Sequence, residues 1–164
     1  MKILVVSDTH VPTIAQQVPE QVLNEAKSCQ MIIHAGDLVS KKVLEALSSI
    51  APTHAVRGNM DLPDLLPTLP SRQLVKVGKW TIGITHGHEG RGADTSQRAV
   101  GAFSTDDVDC VVFGHSHVAL SETVGDTILF NPGSPVAGRG RRGNSYGILE
   151  LGETIRTRIV PLKL

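Results

Sequence analysis

Short apolar runs recur along this chain, and each is followed closely by aspartate, histidine, asparagine or glycine. Five such runs occupy residues 3–6, 31–33, 53–56, 80–85 and 108–113. Runs of this length that are rich in β-branched residues are typical of strands buried on both faces, as in α/β folds. In open α/β sheets the loops after parallel strands meet at one edge and form ligand sites. The pattern therefore predicts one polar site built from segments that are distant in sequence.

Helical patterns alternate with the first three runs. Residues 19–27 and 41–50 show helical spacing, Ser40 is suited to cap the second helix, and Pro52 lies beyond its end. The resulting β-α-β-α-β order favours a parallel sheet with its helices outside.

The second half of the chain has a different pattern. Hairpin signals occur at Gly78-Lys79 and Gly125-Asp126, a helix is expected near 94–103, and a last β pair is expected at 145–151 and 155–160. We therefore predict an α/β (α+β) fold in which two mixed sheets stack and helices cover their outer faces.

Size and charge limit the function classes. The chain has 164 residues, which suits one domain, and we expect a single domain over 1–164. Its 16 Lys and Arg balance 16 Asp and Glu, so the formal net charge is zero. A general binder of nucleic acid or of anionic membranes carries an excess of basic residues, so neither class is expected.

The cysteines and the N-terminal segment bear on the compartment. Cys29 and Cys110 lack CxxC spacing, and we expect them to be buried free thiols. The apolar run at 3–6 is too short for a signal peptide or a membrane span. A reducing, cytoplasmic setting is predicted.

The polar residues after the five runs form a set suited to metal ions. Six of the seven histidines lie in these segments, together with Asp8, Asp37, Asn59 and Asp61. Carboxylates, an amide oxygen and imidazoles without a thiolate suit Mn, Fe, Co, Ni or Zn. The donors outnumber what one ion accepts, so a site for two ions is predicted.

Several of these residues form ordered motifs. They are Asp8-Thr9-His10, Gly36-Asp37, Gly58-Asn59, His86 and Gly114-His115-Ser116-His117. The set resembles the five motifs of the calcineurin-like metallophosphoesterases, and it extends over most of the chain. Three segments are similar to the small YfcE-like phosphodiesterase branch, namely Gly58-Asn59-Met60-Asp61, Thr85-His86-Gly87-His88 and Asn131-Pro132-Gly133-Ser134.

The resemblance implies a four-layer α-β-β-α sandwich and a specific arrangement of metal ligands. One ion would be held by Asp8, His10 and His117, the other by Asn59, His86 and His115, with Asp37 bridging both. Two divalent ions are expected. Mn is the preferred metal, and Fe, Ni, Co or Zn are the alternatives.

The implied reaction is hydrolysis of a small phosphodiester by a hydroxide that bridges the two ions. The leaving alkoxide needs a proton. Many relatives have a histidine directly after the metal-binding asparagine, whereas this chain has Met60, whose thioether cannot donate a proton. We therefore name His88 as the candidate catalytic residue. The alternatives are a supporting role of His88 behind the metal ligands, protonation by solvent, and a restriction to esters with activated leaving groups.

Other polar residues receive more ordinary interpretations. We expect His34 to be a hydrogen-bonded core histidine, His54 to be structural or exposed, and Asp61 to support an imidazole. Arg57 is expected to stabilise its turn. The segment 131–134 is a turn that the resemblance places beside the site. Three arginines, Arg139, Arg141 and Arg142, suggest a solvated loop, with a clamp on substrate phosphate as the alternative.

Three other functions compete with a small-substrate phosphodiesterase. A phosphomonoesterase or a nuclease of the same fold is possible within the enzyme class, although the neutral charge disfavours a nuclease. The rival class is an interaction scaffold, because a retromer coat subunit shares the fold with an incomplete metal shell. Here the ligand set is complete, which favours an enzyme. Homo-oligomers are compatible with the sequence.

Overall fold

The computed structural model describes residues 1–162 of the chain. Ten strands lie within these residues: β1 Lys2–Val6, β2 Met31–His34, β3 Thr53–Ala55, β4 Arg72–Val77, β5 Trp80–Thr85, β6 Cys110–Val112, β7 Leu120–Val124, β8 Thr127–Asn131, β9 Ser145–Leu151 and β10 Ile155–Pro161. The helices are α1 Glu20–Ala26, α2 Lys41–Ser48 and α3 Thr95–Gly101.

The strands form two mixed sheets of five strands each. The first sheet has the order β10-β9-β1-β2-β3, and β1, β2 and β3 run parallel as predicted from the alternating helices. The second sheet has the order β4-β5-β6-β8-β7, in which β5, β6 and β8 run parallel. Both predicted hairpins, β4-β5 and β7-β8, form the edges of this second sheet.

Three apolar clusters separate four layers. One cluster joins α1 and α2 to the outer face of the first sheet, with Val22 and Leu47 fully buried. A second fills the space between the sheets and includes Ile3 and Ile82. A third joins α3 to the second sheet through Phe103. The predicted α-β-β-α sandwich is therefore confirmed, and its core consists mainly of aliphatic side chains.

The ends of the elements follow local chemistry. The Ser40 hydroxyl accepts a hydrogen bond from the backbone N–H of Lys42 and caps α2, as predicted. Asp94 caps α3 in the same way. Strand β6 covers Cys110–Val112 and is shorter than the predicted 108–113. Both cysteines are buried free thiols, and no helix within 1–162 has the length and apolar content to cross a bilayer.

Candidate metal centre

Three predicted donors meet where β1 and β6 end. We call Asp8, His10 and His117 the first ligand group. The Nε2 atoms of His10 and His117 lie 3.2 Å apart, and His117 Nε2 lies 3.2 Å from Asp8 Oδ1. All three side chains are buried. One group thus combines residues that are more than a hundred positions apart in sequence.

Three further donors form a second ligand group, which consists of Asn59, His86 and His115. His115 Nδ1 lies 3.0 Å from Asn59 Oδ1, and the rings of His86 and His115 have centroids 5.2 Å apart. Asp37 lies between the two groups, since its Oδ2 is 3.7 Å from His10 Nε2 and 3.3 Å from His86 Nε2. The structure therefore brings all seven predicted ligands together.

The donor set fits divalent cations. The ligand atoms of Asp8, His10 and His117 lie within 4.8 Å of one another, and so do those of Asp8, Asp37 and His86. Asp8 Oδ1 and His86 Nε2 are buried without a hydrogen-bond partner. A buried polar atom left unpaired costs about 1–3 kcal/mol. A cation at these positions would satisfy both atoms.

Two of the imidazoles are oriented by their other ring nitrogen. His86 Nδ1 lies 2.7 Å from the backbone oxygen of Ala35, and His117 Nδ1 lies 2.9 Å from that of Ala137. A hydrogen bond of this kind fixes the tautomer and points Nε2 at the site. Both Nε2 atoms are therefore available as ligands.

The backbone beneath the site is strained. Five of the seven donors have positive φ, which is unfavourable for side chains other than glycine: Asp8 (56°), His10 (45°), Asp37 (57°), His115 (66°) and His117 (58°). Such conformations cost on the order of 1–3 kcal/mol each and concentrate at functional sites. The residue types predicted the donors, but nothing in the sequence predicted this backbone conformation.

The Asp8 loop is held by its own Ser7 and by two segments that follow strands of the second sheet. The Ser7 hydroxyl and the backbone N–H of His115 both donate to Asp8 Oδ2, at 2.6 and 3.0 Å. The Ser134 hydroxyl donates to the backbone oxygen of Asp8 at 2.7 Å. A Cβ atom on Gly114 would overlap the Ser7 hydroxyl. The segment 131–134 thus supports the site from behind, whereas no pattern in the sequence indicates the Ser7 contact.

Asp61 has a different partner from the predicted one. Its carboxylate accepts hydrogen bonds from the backbone N–H groups of Val39 (2.6 Å) and Gly58 (2.7 Å), and not from an imidazole. Val39 has φ of 73°, a strained value for a β-branched residue. Asp61 therefore joins the loop after Asp37 to the turn before Asn59.

The electrostatics of the imidazoles follow from the two carboxylates. The nearby Asp8 carboxylate raises the pKa of His117, while the Arg139 guanidinium acts in the opposite direction. Burial lowers the pKa of His86, but the neighbouring carboxylates outweigh burial and the net shift is upward. Burial lowers the pKa of two other ligands, His10 and His115.

Comparison with known proteins identifies the family. The model of the calcineurin-like phosphoesterase superfamily domain matches residues 1–154. The chain belongs to this superfamily.

Curated relatives resemble this phosphoesterase domain over most of their length. It is 37% identical over 140 residues to a probable metallophosphoesterase of Methanothermobacter thermautotrophicus, covering 85% of this chain and 80% of the relative. It is 28% identical over 169 residues to the phosphodiesterase YfcE of Escherichia coli, covering 92% and 88%. These similarities support the placement of this chain in the small YfcE-like branch of the superfamily.

Solved structures share the fold of the phosphoesterase domain. A Thermotoga maritima protein determined by NMR has a TM-score of 0.76 and 31% identity, covering 98% of this chain and 99% of that chain. Vps29 of Entamoeba histolytica, in complex with Zn²⁺, has a TM-score of 0.77 and 25% identity, covering 98% of both chains.

The remaining histidines of the phosphoesterase domain lie around the centre. His34 is fully buried and pairs with the Thr9 hydroxyl at 3.0 Å, and burial lowers its pKa to about 3, so it is neutral as expected of a core histidine. The His88 ring lies 5.2 Å from that of His86 and 6.1 Å from that of His115. His54 is half-buried and pairs with Gln73, away from the site.

A cleft of about 690 Å³ opens above the ligands. Five donors line it together with Thr13, Ile14, Met60, Thr95, Ser116 and Arg139. Ile14 and Met60 are 54% and 52% exposed and add apolar surface to the cleft. Arg57 lies 3.8 Å from Glu89 and does not line the cleft.

Proposed function

We propose that this chain is a metal-dependent phosphodiesterase that binds two divalent cations and hydrolyses small phosphodiesters. Manganese is the preferred candidate for both cations. The main support is the convergence of seven oxygen and nitrogen donors at one edge of the sandwich, with Asp37 between the two ligand groups. Such a set matches the preferences of Mn, Fe, Co, Ni and Zn.

The residues of the chain would have separate tasks in this reaction. Two divalent ions held by these donors would lower the pKa of water and neutralise the phosphate of the ester. Asp8 and Asp37 supply the two carboxylates. The anchored imidazoles of His86 and His117 hold their positions without rearrangement, which favours a preorganised site. Buried strands behind the loops keep the floor rigid.

The walls of the cleft favour a diester over a monoester. A diester has two organic substituents, and the exposed side chains of Ile14 and Met60 offer apolar surface to them. Binding pockets use such apolar walls around a few polar groups. A monoester has one substituent and would leave part of this surface uncovered.

His88 remains our candidate proton donor for the leaving alkoxide. Its Nε2 lies 3.4 Å from Glu89, its Nδ1 is buried without a partner, and the ring does not line the cleft. If His88 donates the proton, His88→Ala should slow esters of poor alkyl leaving groups much more than nitrophenyl esters. Equal slowing of both esters would assign His88 a supporting role behind His86.

Hydrolysis of an activated diester tests the proposed function. Metal-free protein should hydrolyse bis(4-nitrophenyl) phosphate when Mn²⁺ is added and lose this activity with a chelator. Asp37→Asn should lower kcat/KM by at least about a hundredfold. Mutating a residue that only hydrogen-bonds a metal ligand already lowers metal affinity or activity by about ten- to a hundredfold. Asp126→Asn removes the same charge from an exposed hairpin and should leave activity unchanged. A fully metallated wild-type protein without activity would sink the proposal.

A scaffold without catalytic activity is the second candidate, because the fold is shared with Vps29 over the length of both chains. That Vps29 structure contains Zn²⁺, so metal binding alone does not separate an enzyme from a scaffold. Turnover does. A partner retained equally by wild type and Asp37→Asn, together with no hydrolysis in a substrate panel, would favour the scaffold.

Four coarser expectations accompany the proposal. We expect a cytoplasmic protein, in agreement with two free thiols, and one domain over 1–164, of which residues 163–164 lie outside the described part. We expect a small phosphate ester as substrate, with nucleic acid and membranes playing no part. A homo-oligomer is compatible with the proposal, and light scattering measures the oligomeric state.

A further inference from the structure

Arg139 is a charged residue of the cleft to which the proposed reaction assigns no task. It lines the cleft with the ligands, and its side chain is exposed. In the described part of the chain, the ion pairs of arginine involve Arg57 and Arg72, and none involves Arg139. A free guanidinium facing a substrate cleft is available to bind an anion.

The backbone of Arg139 is fixed relative to the metal ligands. Its N–H donates to the backbone oxygen of His117 at 2.8 Å, and the residue forms a parallel bridge with Val118. The preceding Gly138 donates to the Asn144 side chain at 2.8 Å. The predicted solvated loop is therefore anchored at its first residues to the segment that carries His117.

The position of Arg139 favours a group other than the phosphate that is cleaved. The metal ligands of the first group are buried at the floor, whereas Arg139 is exposed at the mouth, beside the first group. With two divalent ions and the carboxylates of Asp8 and Asp37, the floor has about two surplus positive charges. A diester phosphate carries one negative charge, so its neutralisation does not require Arg139.

We propose that Arg139 selects phosphodiesters in which one ester substituent carries a second anionic group, such as a carboxylate or a further phosphate. The substituent extends from the floor along the first ligand group to the mouth, where the guanidinium binds the anion. This inference rests on the proposed phosphodiesterase function and narrows its substrate class.

Two isosteric substrates test the selection directly. They are 4-nitrophenyl phosphodiesters whose second substituent is 3-carboxypropyl or 3-carbamoylpropyl, so that they differ only in the distant charge. Wild type should prefer the carboxylate by about tenfold in kcat/KM, mainly through KM, at low ionic strength. Arg139→Gln should lose this preference, so that the carboxylate and the amide substrates are hydrolysed with the same kcat/KM.

The matched control is Arg142→Gln. Arg142 belongs to the same exposed loop but does not line the cleft, so this variant removes the same charge without the same contact. It should retain the wild-type preference. Thermal melting of both variants checks that the fold is intact, and a third substrate with a phosphate-terminated arm shows whether phosphate is preferred over carboxylate.

The other outcomes are distinct. Equal losses with both substrates in Arg139→Gln would mean that Arg139 binds the cleaved phosphate, and they would overturn the selection. No wild-type preference would also overturn it, and the phosphodiesterase would stand. If metallated wild type hydrolyses neither substrate nor bis(4-nitrophenyl) phosphate, the proposed function fails and the selection fails with it.

Discussion

The two ligand groups differ in burial and in charge. Asp8, His10 and His117 are all buried, at 0%, 5% and 7% exposure. In the second group His86 is buried, but His115 is half-buried and Asn59 is exposed. The first group also has a carboxylate of its own, in addition to the shared Asp37. Because charge attraction is stronger away from water, we expect the first group to bind its ion more tightly.

Removing one ligand from each group should have the largest effect. His117→Ala should lower the affinity for the more tightly bound ion by at least about a hundredfold and reduce activity similarly. Mutating a residue that only hydrogen-bonds a ligand already lowers affinity or activity by about ten- to a hundredfold. Asn59→Ala should leave the tighter ion bound and weaken only the other. Calorimetric titration of metal-free protein with Mn²⁺ measures both steps. Equal weakening of both ions by Asn59→Ala would contradict the difference between the groups.

Gly114→Ala should disturb the first group through packing. The added Cβ would overlap the Ser7 hydroxyl and approach the Asp8 carboxylate, both fully buried. Overpacking of this kind costs about 1–3 kcal/mol of unfolding free energy. Gly152→Ala is the matched control, since no atom lies near its Cβ position. Urea denaturation of metal-free protein compares the two. Equal stability would show that the Asp8 loop moves easily.

Asp61→Asn tests whether the hydrogen bonds that Asp61 accepts from Val39 and Gly58 support the second ligand group. An amide offers one acceptor oxygen where the carboxylate accepts from both Val39 and Gly58. We expect metal affinity to fall by about tenfold, mainly for the ion held with Asn59. Asp64→Asn, an exposed change on the same loop, should have no effect. Unchanged affinity would assign Asp61 to stability alone.

The smallest expected effect is on titration of the metal-free protein. The nearby Asp8 carboxylate raises the pKa of His117 above its usual value of 6.5, whereas burial lowers that of His115. The folded state therefore holds the His117 proton more tightly than the unfolded state. Its stabilisation is complete below pH 6.5 and is lost as the pH rises through the raised pKa. NMR titration should find His117 above His115, and Asp8→Asn should lower the pKa of His117. The reverse order would refute this assignment.

The sequence predicted what depends on local chemistry. The Gly125-Asp126 turn, the Ser40 cap and the alternation of strands with helices each involve neighbours in the chain, and each is present. The convergence of ligands was also predictable, because parallel strands place their following loops at one edge.

Features that depend on distant backbone atoms could not be predicted. The motifs suggest an imidazole as the partner of Asp61, but its actual partners are two N–H groups, one of them 22 residues away at Val39. The position of Arg139 in the cleft depends on a bridge to Val118 that no local pattern indicates. The positive φ values of Asp8 and His10 likewise arise from tertiary contacts that hold the loop.

Each ligand group takes donors from loops of both sheets. Asp8, His10, Asp37 and Asn59 follow strands of the first sheet, whereas His86, His115 and His117 follow strands of the second. A bound cation would therefore connect the two halves of the sandwich. Binding of the cations would require that the two sheets have already packed against each other. Heating the metal-bound protein would separate the sheets and release the cations in the same transition.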